Sequence, residues 1–272
     1  MDLEPDRYFF HYTTRDSFGG ILSERKLRLS PYEKMRDPLE NQPWNFTFLS
    51  GSGPRDDAAL IAEAKTQDRF KDVANKRIKH GCHLLSLTID AKPRLGSEHE
   101  LFSRGWARAR LWEQYAEKHQ GVCLVFDRDQ LAKHAGDAAF IRDRSADLYA
   151  GPVSYDDRGL RKPRLDQHAV ESEPGYLDEY IATHHEALFF RKTLDWETEH
   201  EYRFVAVSKL EPTSHDAPSL SMDYGDALTH VIASEHLPRW QRVAVGAACH
   251  EVGAEALLIK WKNYRVGLDT LS

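Results

Sequence analysis

The chain has 272 residues, with 37 Lys and Arg against 43 Asp and Glu, a formal net charge of −6 and three cysteines. That length, with a hydrophobic share of 41%, suits a core that needs no staples and excludes disorder of the whole chain. The acidic balance excludes a broad basic coat for nucleic acid but leaves room for a local basic groove. No run of about 18 apolar residues is present, which predicts no membrane-spanning helix. The acidic start, Met1 to Asp6, has no apolar signal region. Cys82, Cys123 and Cys249 are odd in number and far apart, which argues against a disulfide framework. The expectation is a soluble cytoplasmic protein, bacterial in style, with buried thiols.

In chain order, Tyr8-Phe9-Phe10-His11-Tyr12 is an aromatic run of strand length. Thr13 and Thr14 are candidate N-caps for a helix with Phe18, Ile21 and Leu22 at helical spacing. Leu27-Arg28-Leu29 alternates as a short strand, and the Pro- and Asn-rich stretch 31–54 reads as loop. A helix is predicted over about 56–79, then a buried strand from Cys82 to Ile89. A second helix is predicted over about 106–119, stopped by Gly121, followed by the buried strand Val122 to Phe126. A short strand is expected at 152–155 and a charged mobile loop, a candidate lid, over 156–174. A third helix is predicted over about 175–192, and a strand over 199–207. A loop at 211–219 and short strands at 231–232, 243–245 and 257–259 complete the chain. Strands and helices mix without a steady βαβ rhythm. This predicts an α+β fold in one domain over 1–272, with mixed or antiparallel sheets and flanking helices.

The most unusual stretch is Trp196-Glu197-Thr198-Glu199-His200-Glu201-Tyr202-Arg203. Read as a strand, it puts Glu197, Glu199, Glu201 and Arg203 on one face, continued by Val205 and Val207. Carboxylates in that setting repel and rise in pKa, so the stretch is either a solvated strand end with Arg203 pairing Glu201, or the wall of a cleft. His11 suits a core position as well as a site. Ser86 and Thr88 place two hydroxyls on one face of an apolar strand, where they need partners from the fold or from a ligand. Trp106, Trp112 and Tyr115 read as core packing. Other motifs fail: Phe189 stands where a zinc-protease helix beginning at His185 needs its second His. Cys82-His83 has no second ligand pair. Neither a phosphate-binding Gly loop nor a nucleophile elbow is present.

Several pieces together resemble the bacterial domain of unknown function 2971 family. They are His11-Tyr12-Thr13, Leu29-Ser30-Pro31, Arg36-Asp37-Pro38-Leu39-Glu40 and Leu84-Leu85-Ser86. Further on come Leu111-Trp112-Glu113-Gln114-Tyr115-Ala116, His119 to Leu124, Lys192, and Trp196 with Glu199, Glu201 and Arg203. Arg36 departs from the Asn that the family more often has there. A more distant resemblance is to the ADP-ribosyltransferases, in motif order: a first-strand His, a hydroxyl-bearing middle strand, and Glu-x-Glu on a later strand. It implies a central cleft and NAD as cosubstrate, with no metal. His11 would orient NAD through a ribose or phosphate, Ser86 would support the site, and Tyr12 would stack or pack nearby. Arg203 is grouped with these dinucleotide-binding residues. Glu201 would be the catalytic carboxylate, and Glu199 would assist a macromolecular acceptor, protein or nucleic acid, or water. The competing expectation is a ligand-sensing or protein-interaction module of a stress or phage-defence system, without catalysis. A third is a Mg²⁺-dependent hydrolase or nuclease using Asp37, Glu197, Glu199 or Glu201.

Overall fold

Val122-Cys123-Leu124-Val125-Phe126 shows no polar alternation because its strand is covered on both faces. The computed structural model describes residues 3–49, 57–92, 100–157, 164–209, 220–263 and 265–271. Its first elements are β1 (Tyr8–Thr13), α1 (Arg15–Glu24), β2 (Lys26–Pro31), α2 (Pro38–Asn41), β3 (Thr47–Leu49), α3 (Asp57–Asn75) and β4 (Cys82–Thr88). Next are α4 (Ala109–Tyr115), β5 (Val122–Asp127), α5 (Arg128–Gly136), α6 (Ala139–Arg142), β6 (Ala146–Pro152), β7 (Ser154–Tyr155) and β8 (Arg164–Asp166). Then follow α7 (Gln167–Ser172), α8 (Tyr176–Phe189), β9 (Arg191–Lys192), β10 (Glu201–Ser208) and β11 (Leu220–Asp223). The last are β12 (Leu228–Ser234), α9 (Arg239–Val252), β13 (Glu255–Lys262) and β14 (Arg265–Thr270).

One ten-stranded, mostly antiparallel sheet runs β11-β2-β4-β1-β5-β12-β13-β14, with β10 joining β4 to β6. The domain is α+β, as the sequence predicts. Alternation along the strands sorts side chains into three clusters. Leu85, Leu87, Phe204 and Leu124 face one side, with α1 and α5 residues over them. On the opposite face, Phe10, Tyr12 and Val125 pack with Trp106 and Trp112. Cys82, Leu84, Val205 and Val207 pack with Tyr32, Phe46 and Phe189.

The sheet forks at β4. One edge of β4 pairs along its length with β10, from Glu201↔Thr88 to Val207↔Cys82. The other edge pairs with β2 at Leu84 and His83, and with β1 at Thr88. Among the described residues no strand covers Leu85 to Leu87 on that edge. The cleft lies in this gap.

Several expectations need correction. Val243 to Val245 is not a strand. It lies inside α9, where Val245 and Cys249 are buried one helical turn apart and Gly253, in the left-handed region at φ 76°, ends the helix. Glu199 is not in the strand with Glu201. It ends a 3-10 helix, Leu194–Glu199, and His200 then reverses the chain at φ 43°. The segment 156–174 is not simply a loop. β8 pairs with β3, α7 follows, and Leu165 and Ala169 are buried. Residues 158–163, the loop 211–219 and the Gly51 to Pro54 end of the earlier loop lie outside the described residues. Cys82, Cys123 and Cys249 are free and buried. Among the described residues no helix is long and apolar enough to cross a membrane.

The predicted helix 106–119 breaks into a 3-10 turn, Gly105–Ala107, and α4. Past α4, Glu117, Lys118 and His119 have φ of 51°, 54° and 65°. Three successive non-glycine residues in the left-handed region cost about 1–2 kcal/mol each. Contacts at both ends hold them. Arg15 pairs with Glu117 at 3.0 Å, and His119 stacks on Trp112. Gly121 completes the turn because an added Cβ would lie 2.2 Å from the carbonyl oxygen of Thr13. Lys118 is the exposed member of the three. Lys118→Gly should raise stability by about 0.5–1 kcal/mol, strain relief outweighing the added freedom of the unfolded chain. Urea unfolding with an unchanged slope measures it.

Candidate functional site

Polar side chains from several elements meet at the fork. A cavity of about 260 Å³ opens there, lined by His11 on β1, Ser86 on β4, Glu201 on β10, Lys192 on β9, Glu199, and Asp37 and Glu40 of α2 with its cap. Arg28, Lys34 and Arg36, all exposed, stand along its rim, with Tyr115 and Trp196 on its walls.

The floor is a buried ion network. Arg203 has no solvent exposure. Its Nε donates to Glu201 Oε1 at 2.6 Å and Nη2 to Oε2 at 3.0 Å, a bidentate pair. Its Nη1 donates to the Phe189 carbonyl at 2.6 Å and lies 2.6 Å from Glu40 Oε1. Lys192 Nζ lies 2.8 Å from Glu199 Oε2 and 2.9 Å from Glu201 Oε2, with the Trp196 ring beneath it. Tyr115 donates to Glu199 Oε1 at 2.8 Å, and the Arg36 guanidinium lies over the Tyr115 ring. Three carboxylates thus meet two cations directly.

The pKa shifts follow from this geometry. Burial pushes the Glu201 carboxyl up, but Arg203, Lys192 and a hydrogen bond from Ser86 bring it down to about 2. Glu40 shares the same guanidinium end-on. Burial raises its pKa, and the charge of Glu201 adds to the rise against the pull of Arg203. Burial works against the Lys192 charge, yet Glu201 and Glu40 hold its pKa above the ordinary value. Burial lowers the His11 pKa, so the imidazole is neutral at pH 7.

His11 reaches across the gap to β4. The bond from Ile89 N–H to the His200 carbonyl sets the β4–β10 ladder alternation, so Ser86 turns its backbone groups toward the cleft. His11 Nδ1 lies 3.4 Å from the Ser86 carbonyl oxygen. The ring nitrogen is the donor in this pair, which leaves Nε2 as the acceptor.

His11, Ser86, Glu199 and Glu201, singled out from sequence, therefore meet around one cavity. Arg203 does not line the cavity: it lies fully buried behind Glu201, its donors engaged by Glu201, Glu40 and Phe189. Tyr12 packs edge-on against Trp112, with its hydroxyl donating to the Gly105 carbonyl at 2.5 Å. Glu197 is exposed on the 3-10 helix. Sequence reasoning did not place Glu40 or Tyr115 in the site, although both lie in the quoted motifs. Among the described residues no three His, Cys, Asp or Glu side chains are placed to hold a metal ion.

Fold and site together define an α+β protein with a charged pocket in a forked sheet. Residues 111–204 match the family model described as a protein of unknown function, DUF2971. The match covers the central third of the chain, including Tyr115, Lys192, Glu199, Glu201 and Arg203, and supports the resemblance to that family. His11, Glu40 and Ser86 lie outside it. No curated protein and no solved structure matches the chain.

Arg203→Met leaves Glu201 and Glu40 buried without their guanidinium and should cost about 3–5 kcal/mol at pH 7. The Glu201 carboxyl has a folded pKa of about 2 against an ordinary value of 4.5. Its contribution is therefore present above about pH 4.5 and lost as pH falls toward 2. The stability gap between wild type and variant should narrow across that window, as read by denaturant unfolding at stepped pH.

Proposed function

We propose that the pocket takes the nicotinamide–ribose end of an NAD-like dinucleotide, breaks the bond between ring and sugar, and passes ADP-ribose to a macromolecule or to water. The observation that carries this reading is the polarity of the site. The floor is rich in carboxylates and the rim carries Arg28, Lys34 and Arg36. That arrangement complements a ligand with a cationic ring at one end and a pyrophosphate further along. At about 260 Å³ the cavity is smaller than the ~300–1,000 Å³ pockets that enclose a whole ligand, so it suits one end of a dinucleotide lying across the rim.

In the step proposed, the C1′–N bond breaks and its electron pair goes to the nicotinamide nitrogen. The sugar develops positive charge, and an acceptor oxygen or nitrogen then bonds to C1′ and loses its proton. Glu201, held ionised by Arg203 and Lys192, suits charge stabilisation and is a poor base. A carboxylate about 4 Å from that charge is worth about 4 kcal/mol at an effective dielectric near 20. Enzymes supply at least about 8 kcal/mol, so ribose orientation must add the rest. Neutral His11, with Nε2 as acceptor, suits a ribose hydroxyl better than a phosphate. Glu199 assists the acceptor.

One observation favours a second reading, a sensor that binds the same ligand without cleaving it: Glu201 already faces two cations, which weaken its field at a third charge. Incubation with NAD and a panel of proteins and nucleic acids separates the two. The expected result is nicotinamide release that falls at least a hundredfold in Glu201→Gln and about tenfold in Ser86→Ala, with both variants folded by circular dichroism. Binding of an uncleavable NAD analogue without release would establish the sensor, and neither binding nor release would overturn both.

A further inference from the structure

α2 has four residues, too few to be stable alone. Yet it carries Glu40 to Arg203, and its N-cap Asp37 lines the pocket beside Arg36. Asp37 accepts from the Leu39 amide at 2.9 Å, which settles the start of the turn. At the other end, the last carbonyls of a helix have no partner within it. They are met from a distant element. Past α3, residues Lys76–His80 form a wide π-type turn, and Lys79 on it is 3% exposed. Lys79 Nζ donates to the carbonyls of both Glu40 and Gln42 and lies over the faces of Tyr32 and Trp44. Asn75 grips the same stretch. It accepts from the Trp44 amide at 2.8 Å and donates to the Trp44 carbonyl at 3.0 Å.

We infer that Lys79 is a positioning residue of the pocket, capping α2 from behind and thereby setting where Glu40 and Asp37 stand. A hydrocarbon side chain would fill the space between Tyr32 and Trp44 without a desolvation cost but would leave two carbonyls unpaired. The carboxylates facing Lys79 are Glu40 and Asp37. Burial outweighs both, and its pKa falls to about 8. Above that pH the amine still donates, but without the charge that strengthens the bonds. The pocket is then held less firmly.

The positioning role can be tested without assuming the ligand, whereas its consequence for binding rests on the functional reading above. Hydrogen exchange of the Glu40, Asn41 and Gln42 amides, which bond back to Asp37 and Pro38, is compared in wild type and Lys79→Met. At least tenfold faster exchange confined to this stretch is expected in the variant. Affinity is measured with an NAD analogue carrying a methylene in place of the ribose ring oxygen. Lys79→Met should bind at least tenfold more weakly at pH 7. Wild type should weaken at least threefold between pH 7 and 9.5, and Lys79→Arg, charged throughout, should restore binding and flatten that profile. Unchanged exchange, or unchanged analogue affinity, in a folded Lys79→Met overturns the inference. Faster exchange in a protein whose wild type binds no analogue overturns the functional reading and leaves the positioning role standing.

Discussion

The guanidinium of Arg203 has no solvent exposure, and much of the site follows from that. A charge in such a place persists only if most of its donors find acceptors. The acceptors come from three parts of the chain: Glu201 on the same strand, Glu40 on α2, and the carbonyl that ends α8. Each is thereby drawn to one point. Glu201, taken bidentately, keeps its charge. Glu40, taken end-on, is the first of the two to accept a proton. Lys192 balances the far oxygen of Glu201 and ties in Glu199. The floor is a set of charges fixed by mutual need, which suits a site that must present a field without rearranging.

The fork in the sheet supplies the opening. β4 is covered along one edge and only at the ends of the other, which exposes the backbone of Ser86. In a continuous sheet that amide would pair with a neighbour. Here a side chain, His11, meets its carbonyl instead. The gap opens onto the cavity, and the imidazole gives a part-buried carbonyl a partner.

Much of this was legible in the sequence. The alternation of Glu201, Arg203, Val205 and Val207 correctly put two charged residues at the head of a buried face. The apolar runs at 82–89 and 122–126 marked the strands. Pairing of Arg203 with Glu201 was also foreseeable from a two-residue spacing, although not its burial. What escaped reading is long-range or set by backbone reversal. Glu199 looked like a strand residue because Glu-x-Glu has period two. His200, in the left-handed region, breaks that period and still brings both carboxylates to Lys192. Glu40 and Tyr115 gave no local sign of their partners, which lie more than 80 residues away in the chain. Val243 to Val245 misled because three apolar residues are too few to separate a period of 2 from one of 3.6.

The left-handed run Glu117–His119 bears on the route to the folded state. The chain does not enter this turn on local preference, since each residue opposes it. It becomes favourable once Trp112 offers its face to His119 and Arg15, a hundred residues earlier, reaches Glu117. The second needs β1 and β5 already side by side. That contact follows the pairing of β1 with β5, and it fastens the end of α4, whose Tyr115 forms a wall of the pocket.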